Sequence, residues 1–141
     1  MRLWHYEMIP FLPRQQLLSQ WRELNSIYKK QDNHVLINYI YEYPKDDLYW
    51  YSQLVIAEMK RRGYRVKSWD NYMSYFEELQ DTAMCETWPR RVIKHKLFVR
   101  HHNERYLIQC FYNLQEKYDR GAITQQEYIL LEAFMKERGC V

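Results

Sequence analysis

Three glycines and four prolines are all the helix breakers that this 141-residue sequence contains. Glycine costs roughly 1 kcal/mol in a helix interior and proline roughly 3 kcal/mol, so long stretches without them are free to stay helical. So few breakers argue for helices joined by short loops. Pro13 suits a first helical turn, where its missing N–H has no partner to lose. After it Leu17, Leu18, Trp21, Leu24, Ile27 and Tyr28 recur at spacings of three and four, which predicts an amphipathic helix over 13–30. Gln16, Glu23 and Lys30 lie seven apart on its other side. The segment HVLINYIYEY (34–43) is rich in β-branched and aromatic residues yet isolated from any second strand, and it reads as helical. Pro44 ends it. Asp46 or Asp47 is the expected cap of a helix running to Arg62, which Gly63 stops. Ser68 starts another, with Trp69, Tyr72, Met73, Phe76 and Leu79 on one face. A looser region follows around Pro89. A long helix is expected from Val99 to Arg120, with Tyr106, Cys110, Leu114 and Tyr118 at period-four spacing and Gly121 closing it. The sequence TQQE makes a capping box of Thr124 and Glu127 and opens the last helix. The expected fold is all-α: one domain over 1–141, a compact helical bundle with a C-terminal helical hairpin.

Charge is informative in its distribution more than in its formal net value of +3. From Asp70 to Glu86 there are five acids and no bases, and from Arg90 to Arg105 there are six Lys or Arg, three His and one acid. The stretch KRRGYRVK (60–67) adds five more bases. Ordinary solvated surface explains any one run, but together they fit one basic face. The 14 Tyr and 5 Trp fill a core or stack on bases. Three widely spaced cysteines give no disulfide framework, and His101–His102, adjacent on a helix, point apart rather than share a metal. The N-terminus has no uninterrupted apolar core of a signal peptide, and no run approaches 18 apolar residues, so a cytoplasmic protein without a membrane span is expected.

The chain opens MRLWHYEMIPFLPRQQLLSQWREL, unusually specific for a terminus. Arg2 is too large for removal of the preceding methionine, so the chain is expected to keep Met1 with a free α-amine. Such an amine has a pKa near 8 against about 10.4 for lysine, so roughly a tenth of it is uncharged at neutral pH. An uncharged amine attacks an electrophilic sugar carbon and forms an imine. That chemistry needs an acid/base and a counter-charge, and a nearby glutamate supplies both. Taken alone, Glu23 reads first as a solvated helix residue paired with Arg22, Arg14 or Lys30.

Gln15, Leu17, Trp21, Arg22, Glu23 and Leu24 form the pattern Q-x-L-x-x-x-[YW]-R-E-L at a fixed distance from the terminus. This front resembles the pyrimidine-dimer DNA glycosylase family. HVLINYIY from His34 and IAEMKRRGY from Ile56 to Tyr64 are similar to two further family segments, so the resemblance spans about residues 1–65. The resemblance implies an all-helical domain that acts on cyclobutane pyrimidine dimers and then cuts the strand through an imine. It implies that the α-amine of Met1 attacks the sugar C1′ and that Glu23 stabilises the cation and moves protons. Arg2 and Arg22 would bind flanking phosphates, and Gln15 would help hold the distorted site. His34 is placed near Glu23 as a phosphate or sugar contact, the alternative being a packing histidine bonded to a helix end.

The expected protein is therefore a DNA glycosylase and abasic-site lyase, working as a monomer on lesion-containing double-stranded DNA without metal or other cofactor. The alternatives are a non-catalytic or differently targeted nucleic-acid-binding relative, and a helical protein-interaction module that docks through its last hairpin.

Overall fold

A computed structural model describes residues 2–30, 33–79 and 96–140. The region around Pro89, the basic run up to residue 95 and Met1 lie outside the described residues. The regular structure is entirely helical among the described residues. It comprises α1 (Arg14–Lys29), α2 (Lys45–Arg61), α3 (Trp69–Tyr75), α4 (Glu104–Asp119) and α5 (Gln125–Glu137), with 3₁₀ turns at Tyr6–Phe11, Asn38–Glu42 and Glu77–Leu79. Helix α1 packs on α2 and α3, α4 packs on α5, and the first 3₁₀ turn bridges α2 and α5. One cluster of buried side chains draws on all five helices, from Leu17 and Leu24 through Tyr51 and Tyr72 to Phe111 and Leu131. No helix among the described residues is long and apolar enough to cross a membrane.

The apolar stripe of α1 is the expected one: Leu17, Trp21, Leu24, Ile27 and Tyr28 are all buried. Its start is not capped by its own sequence, because Pro13 offers no side chain. The Glu127 carboxylate, which closes the Thr124 capping box of α5, also accepts the Arg14 N–H at 2.8 Å. Burial works against that charge, but the hydrogen bonds from Arg14 and Thr124 outweigh it and hold the Glu127 pKa down. At the other end of α2, Gly63 takes φ 78° and lets the Tyr64 N–H reach back to the Met59 carbonyl, so the chain leaves the helix in a Schellman turn. Gly121 closes α4 in the same way, with φ 81°.

Four local expectations are corrected. Helix α2 starts at Lys45 after Pro44, so neither Asp46 nor Asp47 caps it. Both sit inside the first turn, where their charge suits the helix dipole, and Asp47 accepts the Phe98 N–H at 3.0 Å. Segment 34–43 is no continuous helix but a turn followed by the 3₁₀ piece Asn38–Glu42. Helix α3 starts after Ser68 as expected but stops at Tyr75, before Phe76 and Leu79, and Met73 is 46% exposed rather than part of a buried face. Helix α4 begins at Glu104 rather than Val99, because Phe98 adopts φ 47° and its carbonyl takes the N–H groups of both His101 and His102. The Asn103 side chain then caps the helix at Tyr106 N–H. The two histidines thus precede the helix, His102 buried and His101 half-buried. The buried stripe of α4 is Leu107, Cys110, Phe111 and Leu114, rotated from the expected one.

Candidate active site

Residues 2–5 carry no helix or strand pairing, so their backbone groups must find partners elsewhere. Side chains from α1, α2 and α4 supply them. Gln20 of α1 is fully buried. Its amide nitrogen donates to the Arg2 carbonyl at 3.1 Å and to Glu23 Oε2 at 3.2 Å. Its oxygen accepts the Trp4 N–H at 2.9 Å. The buried Tyr51 hydroxyl of α2 shares its one proton between Trp4 O at 2.7 Å and Gln20 Oε1 at 2.8 Å. Tyr106 of α4 donates to the Leu3 carbonyl at 2.5 Å. The front of the chain is thereby fastened onto the polar side of α1, with the Arg2 N–H 3.4 Å from Glu23 Oε2.

Two histidines complete the fastening in a defined tautomer. His102 Nδ1 accepts the Tyr6 N–H at 3.2 Å, so its proton sits on Nε2, toward the Tyr39 hydroxyl at 2.7 Å. His5 Nδ1 caps the first 3₁₀ turn by accepting the Glu7 N–H, and its Nε2–H donates to the His102 carbonyl at 2.9 Å. Burial lowers the pKa of His5 to about 4 against the pull of the Glu7 charge, and lowers that of His102 as well. Both imidazoles are neutral at pH 7.

Glu23 is half-buried, and burial raises its pKa. The Arg2 N–H and the charges of Arg22 and His34 oppose that rise and favour the carboxylate. The carboxylate opens onto a cleft of about 290 Å³ lined by Arg2, Trp4, Gln16, Ser19, Leu36, Asn113 and Lys117. The Arg2 guanidinium lies 5.7 Å from the Trp4 ring centre and 5.9 Å from that of Tyr106. Among the described residues, Gln16 Oε1 is the buried side-chain acceptor without a hydrogen-bond partner. A half-buried carboxylate with a raised pKa and two cations at one cleft is suited to acid/base work on an anionic substrate.

The expected site residues are therefore partly gathered. Glu23 and Arg2 share the cleft. Arg22 is exposed one position along α1, bonded to Ser19 Oγ at 2.9 Å, and borders a second depression of about 520 Å³ with Lys29, Arg65 and Lys67. His34 is exposed at a turn, where Nδ1 accepts the Leu36 N–H at 3.2 Å. Gln15 is exposed on the first turn of α1 and does not line the cleft, whereas Gln16 does. Gln16, Gln20, Lys117 and Tyr106 were not among the site residues expected from the sequence, which placed Gln16 only on the polar side of α1 and Tyr106 only in a helical stripe. Their one available signal was that Gln16, Gln20 and Glu23 recur at four and three, along the polar side of α1. Among the described residues no three of His, Cys, Asp and Glu gather as a metal site.

No curated protein and no solved structure matches the chain. A family model described as pyrimidine dimer DNA glycosylase matches residues 1–72, a stretch that holds the front segment, all of α1 and α2, and Glu23. With more than half its length matched, and with the matched half supplying the carboxylate and the chain front fastened beside it, the chain belongs to the pyrimidine dimer DNA glycosylase family.

Proposed function

We propose that the protein removes a base at cyclobutane pyrimidine dimers in double-stranded DNA and then cuts the strand through an imine, with the α-amine of Met1 as nucleophile and Glu23 as acid/base. The observation that carries this reading is the Arg2 N–H at 3.4 Å from Glu23 Oε2. Only one residue separates that nitrogen from the α-nitrogen, a covalent reach of about 3.5 Å in any backbone conformation. The amine is thus tethered to the neighbourhood of a carboxylate whose burial favours proton uptake.

The uncharged amine attacks C1′, the new C–N bond forms, the glycosidic electron pair leaves with the base, and the proton that the new ammonium loses goes to the departing base. The C1′–O4′ bond then opens, O4′ takes a proton from the carboxylic acid form of Glu23, and C1′ becomes a protonated imine. The resulting carboxylate stabilises that cation and removes a C2′ proton, and the electron pair expels the 3′ phosphate. Arg2 and Lys117 in the cleft, with Arg22, Arg65 and Lys67 beside it, are the cations available to phosphates.

Borohydride reduction tests the reading. The protein should be trapped on DNA that carries an abasic site or a dimer, with the adduct on the α-nitrogen of Met1. An uncleaved N-terminal tag turns the amine into an amide and should abolish trapping while DNA binding survives. A tagged protein that still cuts, or an adduct on a lysine, refutes the mechanism.

A further inference from the structure

The rim of the cleft carries two apolar residues that the fold holds out to solvent. Val35 is 78% exposed and Leu36 45%, and Leu36 lines the same cleft as Glu23 and Arg2. They sit on a closed turn. The His34 carbonyl accepts the N–H groups of Ile37 at 2.9 Å and Asn38 at 3.0 Å, and the His34 ring accepts that of Leu36. Ile37 is fully buried and Ile40 nearly so, which roots the turn in the core. With Ile37 pointing inward and the backbone closed around His34, the two preceding side chains project outward.

Isolated exposed apolar residues are ordinary on protein surfaces. These two are adjacent, on a turn with three hydrogen bonds, and they stand among cations: Arg2 and Lys117 line the cleft, and the charge of Arg22 reaches its carboxylate. Cations in that arrangement contact phosphates. An apolar tip between phosphate contacts is matched in a duplex by the stacked base faces, which it covers by entering a base step. We infer that Val35 and Leu36 form a wedge that enters the base stack beside the reacting sugar and opens one base step, giving the cleft access to C1′. The inference rests on the glycosylase reading above and adds to it how duplex DNA is opened. Its signature is dependence on strandedness, because DNA that is already unpaired needs no wedge.

The test uses a duplex with 2-aminopurine beside a tetrahydrofuran abasic analogue, which cannot form an imine. Binding of the wild-type protein at low salt should raise the fluorescence several-fold as the neighbouring base unstacks. The V35S/L36S variant should lose most of that rise and bind about tenfold more weakly. Val35→Ile with Leu36→Met should keep it, and melting of all forms should agree because both side chains are exposed. On true abasic DNA, V35S/L36S should lose about 10–100-fold more of its cutting rate on duplex than on a single strand. No fluorescence rise with the wild-type protein, an equal rise with V35S/L36S, or equal losses on single and double strands would each overturn the wedge. The fluorescence arm needs no imine, so a wild-type protein that fails to trap on abasic DNA refutes the glycosylase reading while leaving the wedge to its own result.

Discussion

Replacing Gln20 by leucine probes how the front of the chain is held. The amide of Gln20 is the hydrogen-bond partner of the Arg2 carbonyl and the Trp4 N–H, and it also meets Glu23 and Tyr51. Leucine keeps most of the volume and removes all of these bonds. Tyr51 retains Trp4 O, and Glu23 retains the Arg2 N–H, but the Trp4 N–H and the Arg2 carbonyl are left unpaired. An orphaned buried backbone group costs about 1–3 kcal/mol, so the pair costs about 2–6 kcal/mol. For a chain of this length, at about 3.4 °C per kcal/mol, that is a fall in Tm of about 7–20 °C. The segment escapes part of that cost by lifting into water, but lifting also carries the chain front away from Glu23. Misplacement of a reacting group by about 1 Å costs on the order of 10²-fold in rate, so borohydride trapping should slow by about that factor. Affinity for DNA should stay within about threefold, since a fully buried side chain makes no contact with phosphates. Gln20→Asn keeps the amide on a shorter stem and should fall between the two. Melting curves and single-turnover trapping on abasic DNA decide the matter. A Gln20→Leu variant that melts within 2 °C of wild type and traps within about threefold of its rate would refute the argument that this amide fastens the chain front.

Three further outcomes are expected. Glu23→Gln should lower turnover by about 10²–10⁴-fold without loss of Tm, and because O4′ is protonated by the carboxylic acid form, which burial favours, the limb of the wild-type pH–rate profile on which activity falls as Glu23 ionises should lie above 4.5; a limb at or below that value would remove the carboxyl group from the rate-limiting step. His5 takes up a proton near 6.5 when unfolded and near 4 when folded, so its contribution of about 3 kcal/mol is complete above pH 6.5 and is lost as pH falls toward 4, with His102 acting in the same direction; urea melts at pH 7 and 4.5 should show the loss, and a flat result would mean the neutral imidazoles are not needed. Arg65→Ala and Lys67→Ala should weaken binding equally to damaged and intact duplex and reduce the salt slope by about one for each cation, whereas an unchanged slope would take the second depression out of the DNA contact.

What the sequence revealed was whatever depends on neighbours along the chain. The spacing of Leu17, Trp21 and Leu24 names the buried side of α1, and the Thr124–Glu127 pair names the start of α5, because both are local rules. The placement of Glu23 on the opposite side of α1 followed from the same spacing. Its half-burial did not, since the covering residues come from the chain front and from α4. Gln20 looked like any polar helix residue. It becomes a fixed bridge only when Tyr51, 31 positions away, closes over it. His102 was read as one of two helical histidines, because nothing local announced the left-handed turn at Phe98 that delays α4 and sends the ring toward Tyr6. The turn at 34–37 was ambiguous for a related reason. Its conformation is set by burying Ile37 in a core built from distant elements, not by the preferences of its own residues.

The single carboxylate of Glu127 serves the beginnings of two helices that are 111 positions apart, α1 at Arg14 and α5 at Gln125. During synthesis α1 leaves the ribosome long before residue 127 exists. Until the last hairpin arrives, the first turn of α1 therefore has a frayed end that water must satisfy. The same holds for the chain front, whose Leu3 carbonyl and Tyr6 N–H wait for Tyr106 and His102. A truncation at the boundary of the family match would keep the carboxylate and yet lose the wall and the latch that give it geometry. The C-terminal half works as a late-arriving clasp, so assembly of the candidate active site is tied to completion of the whole chain and an unfinished product carries no organised cleft.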